Sequence, residues 1–262
     1  MNKNSHDDRN PELSLGMFVK YWQAGQVKTR LAKSIGAQPS AELYHEFVRL
    51  LSSRLAHVGD RRILSYWPPE RLDNFRELAG SQWELEAQVG LDLGERMQSF
   101  FRRRLQLGSS RALLIGSDSP SIPIGTFAEA FDALCSHHVV LGPASDGGYY
   151  LVGMSAYHGD IFTDIDWSTP AVWDQTQQRI RQLGLRSHVL PRHFDVDQWQ
   201  DLRLLKMDLE GLAAEEKESD ESVQHRTSLY REPEHSGGKI LSWLDLLDYK
   251  CNELKNKVIE SE

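Results

Sequence analysis

The run Leu113-Leu114-Ile115-Gly116-Ser117-Asp118-Ser119-Pro120 constrains the fold of this chain more than any other segment. An apolar stretch of this length suits a buried strand, and the small residues and Pro120 end it. Asp118 then stands at the carboxyl end of that strand, where open α/β sheets bind their ligands. A second acidic run, Gly142-Pro143-Ala144-Ser145-Asp146-Gly147-Gly148-Tyr149-Tyr150, follows, and a third comes at Phe194-Asp195-Val196-Asp197. Upstream lies a small basic loop, Gly25-Gln26-Val27-Lys28-Thr29-Arg30. Spaced carboxylates and a glycine-and-cation loop suit a divalent metal holding a phosphorylated substrate.

Around this strand the pattern alternates. Strands are expected over residues 13–19, 62–67, 83–89, 111–115, 138–141, 149–154 and 186–190. Helices are expected from Pro39-Ser40, over 93–107, 125–135 and 170–183, and over 198–209 entered from Asp197. Such alternation predicts a mostly parallel α/β sheet. Leu43, Phe47, Leu50, Leu51 and Leu55 form the apolar face of the first helix. Residues 1–12 are polar and read as disordered, and 13–209 read as one domain. Residues 210–239 hold the acidic run Glu215-Glu216-Lys217-Glu218-Ser219-Asp220-Glu221 and read as a solvated linker. Residues 240–262 read as an amphipathic C-terminal helix, with Leu244, Leu247, Cys251, Leu254 and Val258 on one side. That helix could dock on its own domain or serve as a homodimer seam.

Composition excludes several classes. A net charge of -8 disfavours non-specific nucleic-acid binding, which needs clustered Lys and Arg. The cluster Arg102-Arg103-Arg104 is local and reads as a solvated helix face. Two cysteines, Cys135 and Cys251, are too few for a disulfide framework. The polar N-terminus is no secretory signal, and no window reaches the length of a membrane span. The expectation is a cytoplasmic protein.

Taken in order, the motifs resemble a known family. They are Phe18-Val19-Lys20 with the loop from Gly25 to Leu31; Gln88-Val89-Gly90-Leu91-Asp92-Leu93-Gly94-Glu95-Arg96-Met97; Gly116-Ser117-Asp118-Ser119-Pro120; Asp146-Gly147-Gly148-Tyr149-Tyr150; Ile165-Asp166-Trp167-Ser168-Thr169; and Asp195-Val196-Asp197 with Asp201-Leu202. From residue 15 to residue 205 the chain resembles a bacterial family of GT-A-like glycosyltransferases, also classed as a domain of unknown function. That family is related to the nucleotide-diphospho-sugar transferases and to the molybdenum-cofactor and phospholactate guanylyltransferases. Ser117 and Ser119 stand where the family usually has threonine and cysteine, and Ala24 where it has proline. The extension after Glu210 falls outside the resemblance.

The resemblance implies a three-layer α/β/α GT-A-like sheet with an added C-terminal helix. It also implies a metal-dependent transferase using an activated nucleotide, with a nucleotide-sugar or a nucleoside triphosphate as donor and a small molecule as acceptor. Glycosyl transfer is the first reading. Nucleotidyl transfer and a catalytically silent nucleotide-binding module are the others. Gly25, Lys28 and Arg30 become the phosphate loop, where glycine admits a phosphate and two cations clamp it; the alternative is a solvated surface loop. Gln88 and Arg96, with Asp92 and Glu95, are placed near the nucleotide; otherwise they are a capped helix start. Asp118 is placed as a ligand for Mg2+ or Mn2+ and as a catalytic acid, with Asp195 or Asp197 completing the metal site; Asp197 could instead cap the next helix. Asp146 is placed as a catalytic carboxylate, with Gly147, Gly148 and Trp167 around the acceptor. The alternatives there are a plain Asp-Gly turn and a loop anchor. An Asp-x-Asp pair also occurs in haloacid-dehalogenase-like phosphatases, but here it comes too late in the chain.

Overall fold

The computed structural model describes residues 12–222, together with Asp245 and Tyr249. The expected disordered N-terminus, the end of the acidic segment and the dimer seam of the C-terminal helix lie outside the described residues, apart from helical Asp245 and Tyr249.

Seven strands, β1 (Leu13–Lys20), β2 (Arg61–Trp67), β3 (Glu84–Ala87), β4 (Arg111–Ile115), β5 (Val139–Pro143), β6 (Tyr149–Met154) and β7 (Ser187–Val189), form one sheet in the order β3-β2-β1-β4-β6-β5-β7. Strand β6 runs antiparallel to its neighbours β4 and β5, and every other pairing is parallel. The helices are α1 (Ala32–Ile35), α2 (Ala37–Arg54), α3 (Leu72–Ala79), α4 (Leu93–Gln106), α5 (Ile124–Ala133), α6 (Val172–Gln182) and α7 (Trp199–Ser222). The architecture is the expected three-layer α/β/α sandwich around a mostly parallel sheet.

Strand β4 shows why both faces are covered. Successive side chains of a strand point to opposite faces. Leu113 and Ile115 enter a core with Tyr44, Val48 and Leu51 of α2, Phe75 of α3, and Phe127 and Phe131 of α5. Ala112 and Leu114 enter the opposite core with Met97, Phe100 and Phe101 of α4 and Ile180 of α6. Helix α2 serves two cores: Leu51 and Leu55 face the sheet, while Leu43, Phe47 and Leu50 pack on Val196, Leu202, Leu205 and Leu209. That second core docks α7, and with it the segment carrying Asp195 and Asp197, against α2.

Two features differ from the sequence reading. The last described helix runs past Leu209 to Ser222. From Leu212 to Glu218 it holds only Leu, Ala, Glu and Lys, all good helix formers, and no proline follows before Ser222. The basic run on α4 is a solvated face only at Arg102 and Arg103. Arg104 is buried and paired with Glu86 of β3, Arg103 reaches the same carboxylate at 3.3 Å, and Arg102 stacks over Tyr157. Glu86 lies on the sheet face that α4 covers, so the helix must bring a cation inward.

All six parallel strands end at one edge of the sheet. That edge gathers the loops after β1, β2, β3, β4 and β5, the segment after β7, and the turn into β6.

Candidate active site

The loop after β1 is held by its apolar residues. Val27 and Leu31 are buried, and the Tyr21 N–H donates to the Trp67 carbonyl at 2.7 Å. Gly25 sits at φ +78° at the exposed tip of the loop. Lys28 also has positive φ, at +48°, and its carbonyl accepts the Ala32 N–H at 2.8 Å to start α1. This conformation turns the Lys28 side chain inward, where it is 2% exposed. Its ammonium pairs with the Asp118 carboxylate and donates to Asp197 Oδ1 at 3.1 Å. Burial alone would lower the Lys28 pKa; Asp118 and Asp197 reverse this and push it up to about 12. Arg30 is open to solvent, and its guanidinium lies 3.6 Å from Asp197 Oδ2.

The carboxylates are held by two segments clipped together. The Val196 N–H donates to the Asp118 carbonyl at 2.8 Å. Val196 is fully buried, which leaves Asp195 and Asp197 flanking it toward the site. Beside Asp118, buried Ser117 shares a 2.7 Å hydrogen bond with the Tyr44 hydroxyl. The Ser119 hydroxyl donates to Asp195. Asp197 does not cap α7. The Asp201 carboxylate does this instead, accepting the N–H groups of Asp197 and Gln198 at 2.9 and 2.7 Å. The Asp197 carboxylate is thereby released to face Lys28.

Burial, and then the charge of Asp118, push the Asp195 carboxyl up to about 7 from 3.8. The sign follows from proton linkage. Between those values the folded state holds a proton that the unfolded state has lost, so stability falls as pH rises and stays low above about 7. Asp195→Asn imitates the protonated form and still accepts from Ser119. In metal-free protein it is expected to add on the order of 2–4 kcal/mol at about pH 8, at roughly 1.4 kcal/mol per pKa unit, and almost nothing near pH 4. Thermal unfolding at the two pH values in chelator measures this. An equal gain at both would refute the raised pKa.

Asp146 lies on the turn between β5 and β6 and contributes to the raised pKa of Asp195. Its Oδ1 accepts the Gly148 N–H at 3.0 Å. Gly147 has φ +94°, its carbonyl accepts the Trp173 N–H at 2.9 Å, and a β-carbon there would fall 2.5 Å from the Pro170 carbonyl oxygen. Gly148 closes the turn by accepting the Ala144 N–H at 3.0 Å. Trp167 is half-buried and packs edge-on to Tyr149 and against Phe162. Its indole nitrogen would lie 2.7 Å from a β-carbon at Gly94, so glycine there lets the ring tuck against α4. Trp167 is thus anchored in its loop, with part of the side chain still open to solvent.

Next to the Lys28 loop is a cleft of about 390 Å³ lined by Lys20, Tyr21, Gln23, Gln26, Val27, Trp67, Pro68 and Arg96. Arg96 stacks over Trp67 at 4.3 Å and donates to the Gly90 carbonyl at 3.2 Å. Gln88 does not line the cleft. It is buried, and its amide nitrogen donates to the carbonyls of Val19 and Ser65 at 3.2 and 2.8 Å. It braces β1 against β2 and offers its oxygen to Arg96 at 3.4 Å. Asp92 and Glu95 form a capping box, Asp92 accepting the Glu95 N–H and Glu95 the Leu91 N–H, each at 2.8 Å. Sequence reasoning missed Trp67 and Tyr21 of the cleft and Ser119 beside Asp195. The aromatic Tyr21-Trp22 pair directly after β1 was the available signal.

The donor set suits a hard divalent cation. Oxygens of Asp118 and Asp197 converge on one point, held by the Lys28 ammonium, and Asp195 is close to both segments. Carboxylate oxygens are what Mg2+ and Mn2+ prefer, and an ion shared with phosphates needs only one or two of them. Among the described residues, no three His, Cys, Asp or Glu side chains are gathered into a cage of their own.

A model of a family described as an uncharacterized protein conserved in bacteria (DUF2064) matches residues 50–169. No protein of the curated set matches the chain in sequence. A protein from Desulfovibrio desulfuricans G20, provisionally named a nucleotide-diphospho-sugar transferase, is 31% identical with a TM-score of 0.70; the alignment covers 91% of this chain and 97% of that one. A nucleotidyl transferase from Methanothermobacter thermautotroptrophicus has a TM-score of 0.52 at 15% identity, covering 77% of this chain and 100% of that one. A 4-diphosphocytidyl-2C-methyl-D-erythritol synthase has 0.51 at 12% identity, covering 77% and 99%. At these identities the last two share the fold. Carried by the Desulfovibrio match over nearly its whole length, the chain belongs to the bacterial DUF2064 family and has the nucleotide-diphospho-sugar transferase fold.

Proposed function

We propose that this protein is a metal-dependent transferase acting on a nucleotide-activated donor, and that it transfers a glycosyl group from a nucleotide-sugar. One observation carries the reading: Asp118, Asp197 and Lys28 meet at the carboxyl edge of the sheet, beside a cleft walled by Tyr21, Trp67 and Arg96. The cleft accepts the nucleoside, with flat side chains for a base. Lys28 and Arg30 face its phosphates. Asp118 with Asp197 or Asp195 would hold Mg2+ or Mn2+, which neutralises charge building on the departing diphosphate. Asp146, close enough to raise the Asp195 pKa, faces the acceptor and orients or deprotonates its hydroxyl.

A thermal-shift screen of nucleotides and sugar nucleotides, with and without Mg2+ or Mn2+, tests the reading. A ligand at a hundred times its Kd adds about 2.7 kcal/mol of stability. Metal-dependent stabilisation by a sugar nucleotide, followed by release of nucleoside diphosphate, is the expected result. Pyrophosphate released from a triphosphate would make the reaction nucleotidyl transfer, and no stabilisation by any nucleotide would overturn the reading.

Arg30 provides a second check. A charge-assisted contact is worth about 1.5–3 kcal/mol, so Arg30→Ala is expected to weaken nucleotide diphosphate binding about tenfold or more. Arg30→Lys should not restore it, because an ammonium lacks the planar fork. Calorimetry with Mg2+ present measures both; unchanged affinities would return Arg30 to a solvated role.

A further inference from the structure

Lys28 occupies the point at which the metal-binding oxygens converge. Its side chain is 2% exposed and its ammonium pairs with both Asp118 and Asp197, while the rings of Tyr44 and Phe47 stand 6.0 and 5.8 Å away. The positive-φ backbone at Lys28 and the start of α1 at its carbonyl aim the side chain there. Lys28 is therefore the resident counter-ion of the two carboxylates, held from one side by aromatic walls.

We propose that Lys28 excludes free divalent cations from this site, so that the ligand taken up is a metal–diphosphate complex and not the bare ion. The inference rests on the assignment of Asp118 and Asp197 as metal ligands. A bare dication entering between them would sit beside a buried ammonium and leave it without its acceptors. Both effects oppose entry, most strongly at the ammonium, whose side chain is buried while the carboxylates reach solvent. A diphosphate changes the balance. Its oxygens provide new acceptors for the Lys28 ammonium, and its negative charge offsets the added cation. Arg30, exposed and 3.6 Å from Asp197, is placed to meet the same phosphates. Metal and diphosphate then bind with positive coupling, and each must raise the affinity of the other by the same factor. Couplings of this kind are typically between about 5-fold and 150-fold.

Equilibrium dialysis of Mn2+ against the full chain, alone and with inorganic pyrophosphate, tests this without any turnover. The parent is expected to bind Mn2+ alone weakly, and at least about tenfold more tightly with pyrophosphate. Lys28→Met keeps an unbranched chain between the aromatic walls but removes the charge. It is expected to bind Mn2+ alone at least about tenfold more tightly than the parent, with little further gain from pyrophosphate. Lys28→Gln, which keeps polar hydrogens for the carboxylates, should behave likewise and serves if the methionine variant does not fold. Adding Asp118→Asn to either variant should abolish the gain. If the parent shows the pyrophosphate effect but neither variant binds Mn2+ alone more tightly, the counter-ion role is overturned while the metal site stands. If the gain survives Asp118→Asn, or no protein binds Mn2+ under any condition, the metal-site assignment itself falls, and the inference with it.

Discussion

Asp118→Asn is expected to abolish metal-dependent nucleotide binding while the protein remains folded. The amide keeps the shape of the side chain but loses the charge that faces Lys28 and, in the proposed complex, the metal. Removing one group that stabilises developing charge costs catalysis about a hundredfold to a thousandfold, so turnover should fall at least that far. The cost in stability is smaller. Lys28 keeps Asp197 as a partner at 3.1 Å, and the Asp118 side chain is 47% exposed, so solvent already screens the pair. A loss of about 1 kcal/mol corresponds to roughly 2–4 °C in Tm for a chain of this size. Calorimetric titration with Mg2+, beside a thermal melt, separates the two effects. If the variant binds nucleotide and metal as tightly as the parent, Asp118 is not the ligand.

Gly147→Ala is expected to be the most damaging single methyl in the site. Two independent costs add there. A residue with a β-carbon at φ +94° is strained by about 1–2 kcal/mol. The added methyl would also fall 2.5 Å from the Pro170 carbonyl oxygen and 2.7 Å from its α-carbon, backbone atoms that cannot rotate away. Overpacking of this kind costs about 1–3 kcal/mol. The turn must therefore shift, taking Asp146 with it and loosening the Gly147–Trp173 hydrogen bond that anchors α6. A destabilisation of about 3 kcal/mol in urea unfolding, with acceptor KM rising more than donor KM, is the expected pattern. A variant with parental stability would show that the 146–148 turn is not held against Pro170.

The parts of the fold that could be read from the sequence are those set by local pattern. The aliphatic run of β4 ending at Asp118 identified a buried strand and the edge at which it ends, and the alternation of strands and helices identified a parallel sheet. The four-residue α1 and the eight-residue α3 were missed, since such short helices leave little periodicity. The site was legible only as separate motifs. Asp118 and Asp197 lie far apart in sequence, and what joins them is the backbone clip from Val196 and the packing of Val196 against α2. Asp197 looked like a helix cap because aspartate caps helices well; nothing local reveals that Asp201 does that work from one turn ahead. Gln88 and Arg104 misled for one reason. Long polar side chains look solvent-bound in a sequence, and only the register of β3 against β2 and the packing of α4 on it show which must turn inward.

The single reversed strand divides the site into two halves that are held in different ways. Asp118, Lys28 and Asp197 come from connections whose flanking elements are locked in parallel register or docked on α2, so a change of length beside any of these residues moves a charged group of the site. The Asp146 turn joins β5 to β6, adjacent and antiparallel, and is held at its ends by Ala144, which bridges His193, and by Gly147, which meets Trp173. Its residues can change without moving a strand, provided Gly147 keeps its contacts with Pro170 and Trp173. Under the proposed function, new acceptor specificities should accordingly be sought by varying the segment between Pro143 and Tyr149 around a fixed Gly147, with the residues proposed to hold the donor left untouched.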